Sequence, residues 1–175
     1  QALAGGVSSD IVRADLARGA VCIKRALPKL KVAADWRAPV ERNRWEVAWM
    51  RIAAQVEPDA VPAVLGEDAV AGMFAMAYLD EAQHPVWKSR LRDGRIDAAF
   101  AAEVGRRVAC IHAATAGDAA VRERFATDHI FFPIRIEPYL VATGRAHPDL
   151  APQLDSPAPD LQVSARTSSF RYKGS

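Results

Sequence analysis

Ala20-Val21-Cys22-Ile23-Lys24-Arg25 is the stretch from which the fold is read. Its β-branched Val21 and Ile23 alternate with Cys22 and Lys24, the period of a half-buried strand. A lysine inside such an apolar run needs a reason, because an unpaired ammonium is costly to bury. Two readings follow. In one, Lys24 and Cys22 share the face opposite Val21 and Ile23, and that face meets solvent. In the other, Lys24 reaches a carboxylate supplied by a neighbouring element.

Toward the N-terminus, short β-type runs at residues 1–4 and 10–14 flank Gly5-Gly6-Val7-Ser8-Ser9. Two residues without a Cβ let the backbone approach a ligand closely, and the amides together with the Ser8 and Ser9 hydroxyls can donate to phosphate oxygens. A tight hairpin with no ligand explains the same residues through ordinary turn preferences. Toward the C-terminus, a polar, proline-bearing stretch at 28–39 leads into a helix predicted over 40–56. There Trp45, Trp49, Ile52 and Val56 recur at helical spacing. This helix offers Glu46 and, a turn earlier, Glu41 as partners for Lys24; the duller reading is solvated carboxylates paired along the helix with Arg42, Arg44 or Arg51. Pro58 and Pro62 end the helix, and runs at 61–65 and 70–79, separated by Gly66-Glu67-Asp68, read as a hairpin completing an antiparallel sheet.

Beyond Pro85 the β signal fades. Residues 86–92 make a short helix, and Ile96, Phe100, Val104, Val108 and Ile111 form a stripe on a longer one. Residues 118–125 and 136–146 are further short helices. Residues 151–175, rich in proline and serine, read as an irregular, mobile tail. The expected class is α+β, with an antiparallel sheet and one helix over 1–79, the first helices of a helical lobe over 80–150, and the tail.

Composition narrows the function classes. The 175 residues are 50% hydrophobic and 25% charged, enough for a real core. The 23 Lys and Arg against 21 Asp and Glu, net +2, are mixed along the chain, whereas nucleic-acid binders concentrate basic charge in a stripe. No apolar run approaches the roughly 20 residues of a membrane span. Neither nucleic acid nor membrane is therefore an expected partner. Cys22 and Cys110 have no companions for a zinc knuckle or redox pair, so a reduced, cytoplasmic setting is the simpler reading. Cys110 and His112 point in different directions on a helix and make a poor metal pair, leaving His112 a packing or capping residue. The four tryptophans read as packing residues, since no basic stripe interleaves them. Ser8 or Ser9 as a hydrolase nucleophile would require a Gly-x-Ser-x-Gly elbow, which is absent.

The order of the motifs says more than any one of them. A glycine-rich hairpin, a lysine on the third strand, a helix presenting glutamate, a two-stranded hairpin and Met76-Ala77-Tyr78-Leu79 passing into helices follow the plan of a kinase-like nucleotide lobe. Over about residues 1–150 the chain resembles the aminoglycoside phosphotransferase-like branch of that superfamily, the phosphotransferase enzyme family. The residues that carry the resemblance are Leu3-Ala4-Gly5-Gly6-Val7-Ser8-Ser9-Asp10-Ile11, Val21-Cys22-Ile23-Lys24, Glu41 through Met50, Val61 through Gly66, Met76 through Leu79 and Ile111-His112-Ala113-Ala114. The resemblance implies an ATP-dependent small-molecule phosphotransferase. Gly5, Gly6, Ser8 and Ser9 would cover the triphosphate, Lys24 would bind the α and β phosphates, and Glu46 would hold Lys24. Met76, Tyr78 and Leu79 would lie at the hinge beside adenine. Glu46 is preferred to Glu41 because the apolar Met50 follows it by four positions.

A complete member of that family also carries His-Gly-Asp, an Asn five residues beyond the Asp, and a later Asp, which orient the acceptor hydroxyl and hold magnesium. None is present. His147-Pro148-Asp149 is followed at the required position by Leu154, and Asn43 is the sole asparagine. The resemblance therefore implies a chain truncated before its catalytic loop, with ATP as cofactor, no magnesium ligand and no catalytic residue of its own. The acceptor, a hydroxyl-bearing aminoglycoside, sugar or amino alcohol, would be chosen by a helical lobe mostly outside the chain, and the surface left uncovered there would favour self-association. The alternatives are a non-catalytic nucleotide-binding or protein-interaction module of the same fold, and a domain unrelated to kinases.

Overall fold

The computed structural model describes residues 1–3 and 6–155. Its mixed α+β architecture contains a four-stranded, wholly antiparallel sheet in the order β1-β2-β4-β3. Strand β1 (Ser9–Leu16) and β2 (Gly19–Ala26) form a hairpin, in register from Ser9↔Ala26 to Leu16↔Gly19. Strand β4 (Met73–Ala77) lies on the other side of β2, pairing Cys22 with Met76 and Lys24 with Phe74, and β3 (Val64–Asp68) closes the edge. Of the strand expected over 1–4, the described residues form one bridge, Ala2↔Val12. It is flanked by Leu3 N–H donating to the Ile11 carbonyl and Arg13 N–H donating to the Gln1 carbonyl. Lys24 thus stands on the second full strand, or on the third extended segment if the Ala2 bridge is counted.

The β3–β4 turn falls later than the sequence suggested. Glu67 and Asp68, read as turn residues, are paired with Phe74 and Met73, and the reversal occupies 69–72. Side-chain chemistry explains the shift. Arg51 binds Glu67 at 2.9 Å, holding it on the strand, while Asp68 Oδ1 accepts the Ala71 N–H and so opens the turn one residue later. Gly72, at φ +62°, closes it in a conformation that favours glycine. Its carbonyl accepts both Ala26 N–H and the buried Asn43 Nδ2, tying turn, β2 and helix together.

Helix α1 (Arg42–Val56) forms where the sequence places one, but it turns a different face to the sheet. Asn43, Val47, Met50 and Ala53 are buried, whereas Trp49 of the expected stripe is 46% exposed. Val47 and Met50 pack with Phe74 into the core, flanked by Val61, Val64 and Met76. Medium-sized side chains let the helix approach a sheet more closely than indoles would, so the covered face is not the one with the largest residues. A 3₁₀ turn at Pro58–Ala60 follows.

Helices α2 (Trp87–Arg92) and α3 (Ala98–Thr115) come next. The stripe on α3 is mostly uncovered: Ile111 is buried, while Phe100 and Val108 are exposed. The described residues of 1–26 and 41–114 make one compact unit.

Among the described residues, the second unit combines residues 27–40 with 115–155. A bridge joins Lys29 to Arg37, and the Trp36 indole N–H donates to the Pro133 carbonyl at 2.9 Å. Leu30, Ala38, Ile130 and Ile136 are buried. Asp118 caps α4 (Ala119–Arg124) by accepting the Ala120 and Val121 amides. Helical structure then begins at 128 rather than 136, through α5 (Asp128–Phe131), a π-helical stretch (Phe132–Val141) and α6 (Ala142–Ala146). Pro138 inside this run has no N–H and crowds the preceding turn, and the wider helix accommodates it, with Ala142 N–H bonded to Glu137 O five residues back. Helix α7 (Ala151–Asp155) replaces the start of the expected irregular tail. The rest of that expectation, residues 156–175, lies outside the described residues. Among the described residues no helix is long and apolar enough to cross a membrane.

Candidate functional site

Strand alternation puts Cys22, Lys24 and Ala26 on one face of β2, and the burial of Cys22 and Ala26 identifies that face as the covered one. Lys24 is therefore not a solvent-facing strand residue. Its Nζ donates to both carboxylate oxygens of Glu46, at 2.6 and 2.7 Å. Glu46 reaches it because it lies three residues after Asn43 and four before Met50, on the side of α1 that meets the sheet. Glu41, the other candidate, occupies the N-cap position of α1.

The Lys24 side chain is 18% exposed and that of Glu46 39%, so the pair sits at the rim of the seam rather than in a dry interior. At such a position its net worth to folding is of order 1 kcal/mol or less, and its main consequence is positional. The ammonium is held in one place while part of it still meets solvent. Burial also pushes up the thiol of Cys22, two residues away on the same face, with the Lys24 charge opposing in part.

Sequence reading missed Arg42 as a member of this cluster. One helical turn before Glu46, its guanidinium donates to the Ser8 carbonyl oxygen, joining the glycine-serine turn to the helix that holds Lys24. Burial lowers the Arg42 pKa and the nearby Glu46 charge opposes that effect, but a guanidinium remains ionised. The available signal was positional: Arg42 and Glu46 are an i, i+4 pair, so whatever element Glu46 faces is within reach of Arg42.

The other predicted residues divide into three groups. Gly6 adopts φ +72°, and an added Cβ would lie 3.6 Å from Ile11 Cδ1, an ordinary contact; backbone conformation rather than crowding is what calls for glycine there. Ser8 is half-buried, Ser9 is buried at the start of β1, and Gly5 lies outside the described residues. Met76 is half-buried on β4, opposite Cys22 on one side and Val64 on the other. Tyr78 leaves that strand with the Arg13 guanidinium over its ring at 4.7 Å, and Leu79 is exposed. The structure joins Lys24 to Glu46 and, through Arg42, links their helix to Ser8. It places Met76 in the strand beside β2.

The remaining chemistry-bearing residues do not converge. Among the described residues no group of three or more His, Cys, Asp and Glu is arranged to hold a metal ion. Cys22 and Cys110 are free thiols, Cys110 being 3.6 Å from an Arg106 guanidinium nitrogen, and His112 is exposed in the last turn of α3. His147 ends α6 with its N–H on the Thr143 carbonyl, and the turn containing Asp149 leads into α7. No protein-family model matches the chain, and no curated protein does.

Proposed function

We propose that the first unit is a nucleotide lobe of the phosphotransferase kind, which binds ATP with Lys24 on the phosphates, in a protein of the aminoglycoside phosphotransferase-like family. The observation that carries this reading is the bidentate Lys24–Glu46 pair, formed by two residues twenty-two positions apart on a strand and a helix. An ammonium held by a carboxylate and still partly exposed is suited to meet phosphate oxygens as a point charge. The glycine-serine turn, tied to α1 by Arg42, supports the same reading, because it can offer amides and the Ser8 hydroxyl beside that charge. Met76, Tyr78 and Leu79, leaving the strand next to β2, are the proposed adenine contacts. When bound, Mg-ATP supplies the γ-phosphoryl group for transfer to an acceptor hydroxyl. Two free thiols accord with a reducing, cytoplasmic setting.

A second reading, nucleotide binding without transfer, draws on Asn43. The chain's sole asparagine is buried and engaged with the Gly72 carbonyl, so its amide serves packing. Calorimetric titration with Mg-ATP tests both. Binding by the wild-type chain that weakens about tenfold or more in Lys24→Ala supports a nucleotide lobe, because a lost charge-assisted contact has that magnitude. Phosphoryl transfer to an added hydroxyl acceptor then separates the two readings. Absence of nucleotide binding, or equal binding by Lys24→Ala, rejects both.

A further inference from the structure

A cavity of about 560 Å³ lies along residues 82–100, within the first unit and between the elements that follow the sheet. Three features of its lining are unused by the site described above. Trp87 and Phe100 form an edge-to-face aromatic wall, with centroids 5.2 Å apart and planes at 77°. The Trp87 Nε1 is buried without an acceptor, a state that costs free energy until one is supplied. Arg90, in the last turn of α2, and Arg95, just after the turn that follows it, are exposed, and no described residue forms an ion pair with either guanidinium. Asp97, the acidic residue in the lining, is already engaged: its Oδ1 accepts the Phe100 N–H at the start of α3.

We propose that this cavity binds a small planar aromatic carboxylate. The aromatic wall favours a flat apolar body, which packs on ring faces and edges with little loss of conformational freedom. The two arginines favour a carboxylate, whose planar pair of oxygens matches the guanidinium fork. The cavity volume is in the usual range for small-molecule sites. This site is independent of the Lys24–Glu46 cluster and does not rest on the nucleotide reading.

The test is calorimetric titration of the full chain with 2-naphthoate and with its neutral analogue 2-naphthamide. Saturable binding of 2-naphthoate is expected, with the amide weaker by about tenfold or more once the charge-assisted contacts are lost. The double variant Arg90→Gln/Arg95→Gln should weaken 2-naphthoate by a similar factor. Both arginines are exposed, so this variant keeps the fold, as circular dichroism will verify. Trp87→Ala, which removes one ring of the aromatic wall, should weaken binding by about fivefold or more. No binding of 2-naphthoate, equal binding of the amide, or wild-type affinity in the double glutamine variant would overturn the proposal.

Discussion

Helices α1 and α3 belong to the same sequence class and meet different fates. Both carry apolar residues at helical spacing, and α3 is the longer, with 18 residues against 15. Helix α1 buries Asn43, Val47, Ala48, Met50 and Ala53, whereas Ile111 is the buried residue of α3. Periodicity alone therefore says that a helix forms and that it has an apolar side, without saying what covers that side. For α1 the cover is a sheet whose Phe74 meets Val47 and Met50. On α3, charge replaces cover over part of the surface: Glu103 binds Arg106 and Arg107, and Arg106 also reaches Glu57.

The contrast can be broken most directly in the core. Phe74→Ala should destabilise the chain by about 3–5 kcal/mol, since Phe74 is 2% exposed and the sheet and helix around it cannot collapse onto the cavity. Val108→Ala, on the exposed side of α3, should change stability by no more than about 0.5 kcal/mol. Urea denaturation of the two variants measures both. Equal losses would mean that α3 is as firmly packed as α1.

A smaller effect is expected from Asn43→Leu, which removes the amide that α1 gives to Gly72 and leaves that carbonyl with the Ala26 N–H alone. A loss of about 1–3 kcal/mol is expected, with earlier amide hydrogen exchange in the β3–β4 turn than in the β1–β2 hairpin. Uniform loss of protection across the sheet would instead mean that the Asn43 contact serves the whole fold.

The smallest effect sharpens the comparison from the side of α3. Hydrogen bonds from Arg106 and then Arg107 hold the Glu103 carboxyl well below its ordinary value near 4.5, at about 2. Because the folded pKa is the lower one, this contribution is present above pH 4.5 and disappears as pH falls through about 2. NMR titration should find Glu103 ionised at pH 3.5, and Glu103→Gln should flatten the acid side of the stability profile in that window. A Glu103 titration midpoint near 4.5 would show that the arginine pairs do not persist in solution.

Much of the first unit was legible because its signals are local. The alternation around Lys24, the helix after Pro39 and the hairpin after Pro62 all depend on neighbours in sequence. The hairpin was misplaced by a few residues because Gly66-Glu67-Asp68 has turn composition, while the actual turn is decided by Arg51 binding Glu67 and by Asp68 bonding to Ala71. The run from 128 to 146 was legible in part. The helix expected over 136–146 ran through Pro138, and the wider π-helical turn that accommodates this proline leaves no marker in residue spacing. In the candidate site, Lys24 and Glu46 could be named from motif order, yet the choice of Glu46 over Glu41 rested on resemblance until the helix face was known. Arg42 carried no motif, since its partner is a backbone carbonyl and any residue supplies one.

By itself the sequence determined that the chain folds as sheet followed by helices, that a lysine lies within an apolar strand, and that a helix offers glutamates after it. Those are properties of backbone preference and short-range periodicity, which residue identity controls directly. Only the tertiary structure decided which side of β2 is covered, which face of α1 meets it, and therefore that Lys24 and Glu46 bond while Trp49 stays exposed. The physical reason is that burial belongs to pairs of surfaces. A strand has two faces and a helix several, and shape complementarity between them selects one match after the local structure has formed.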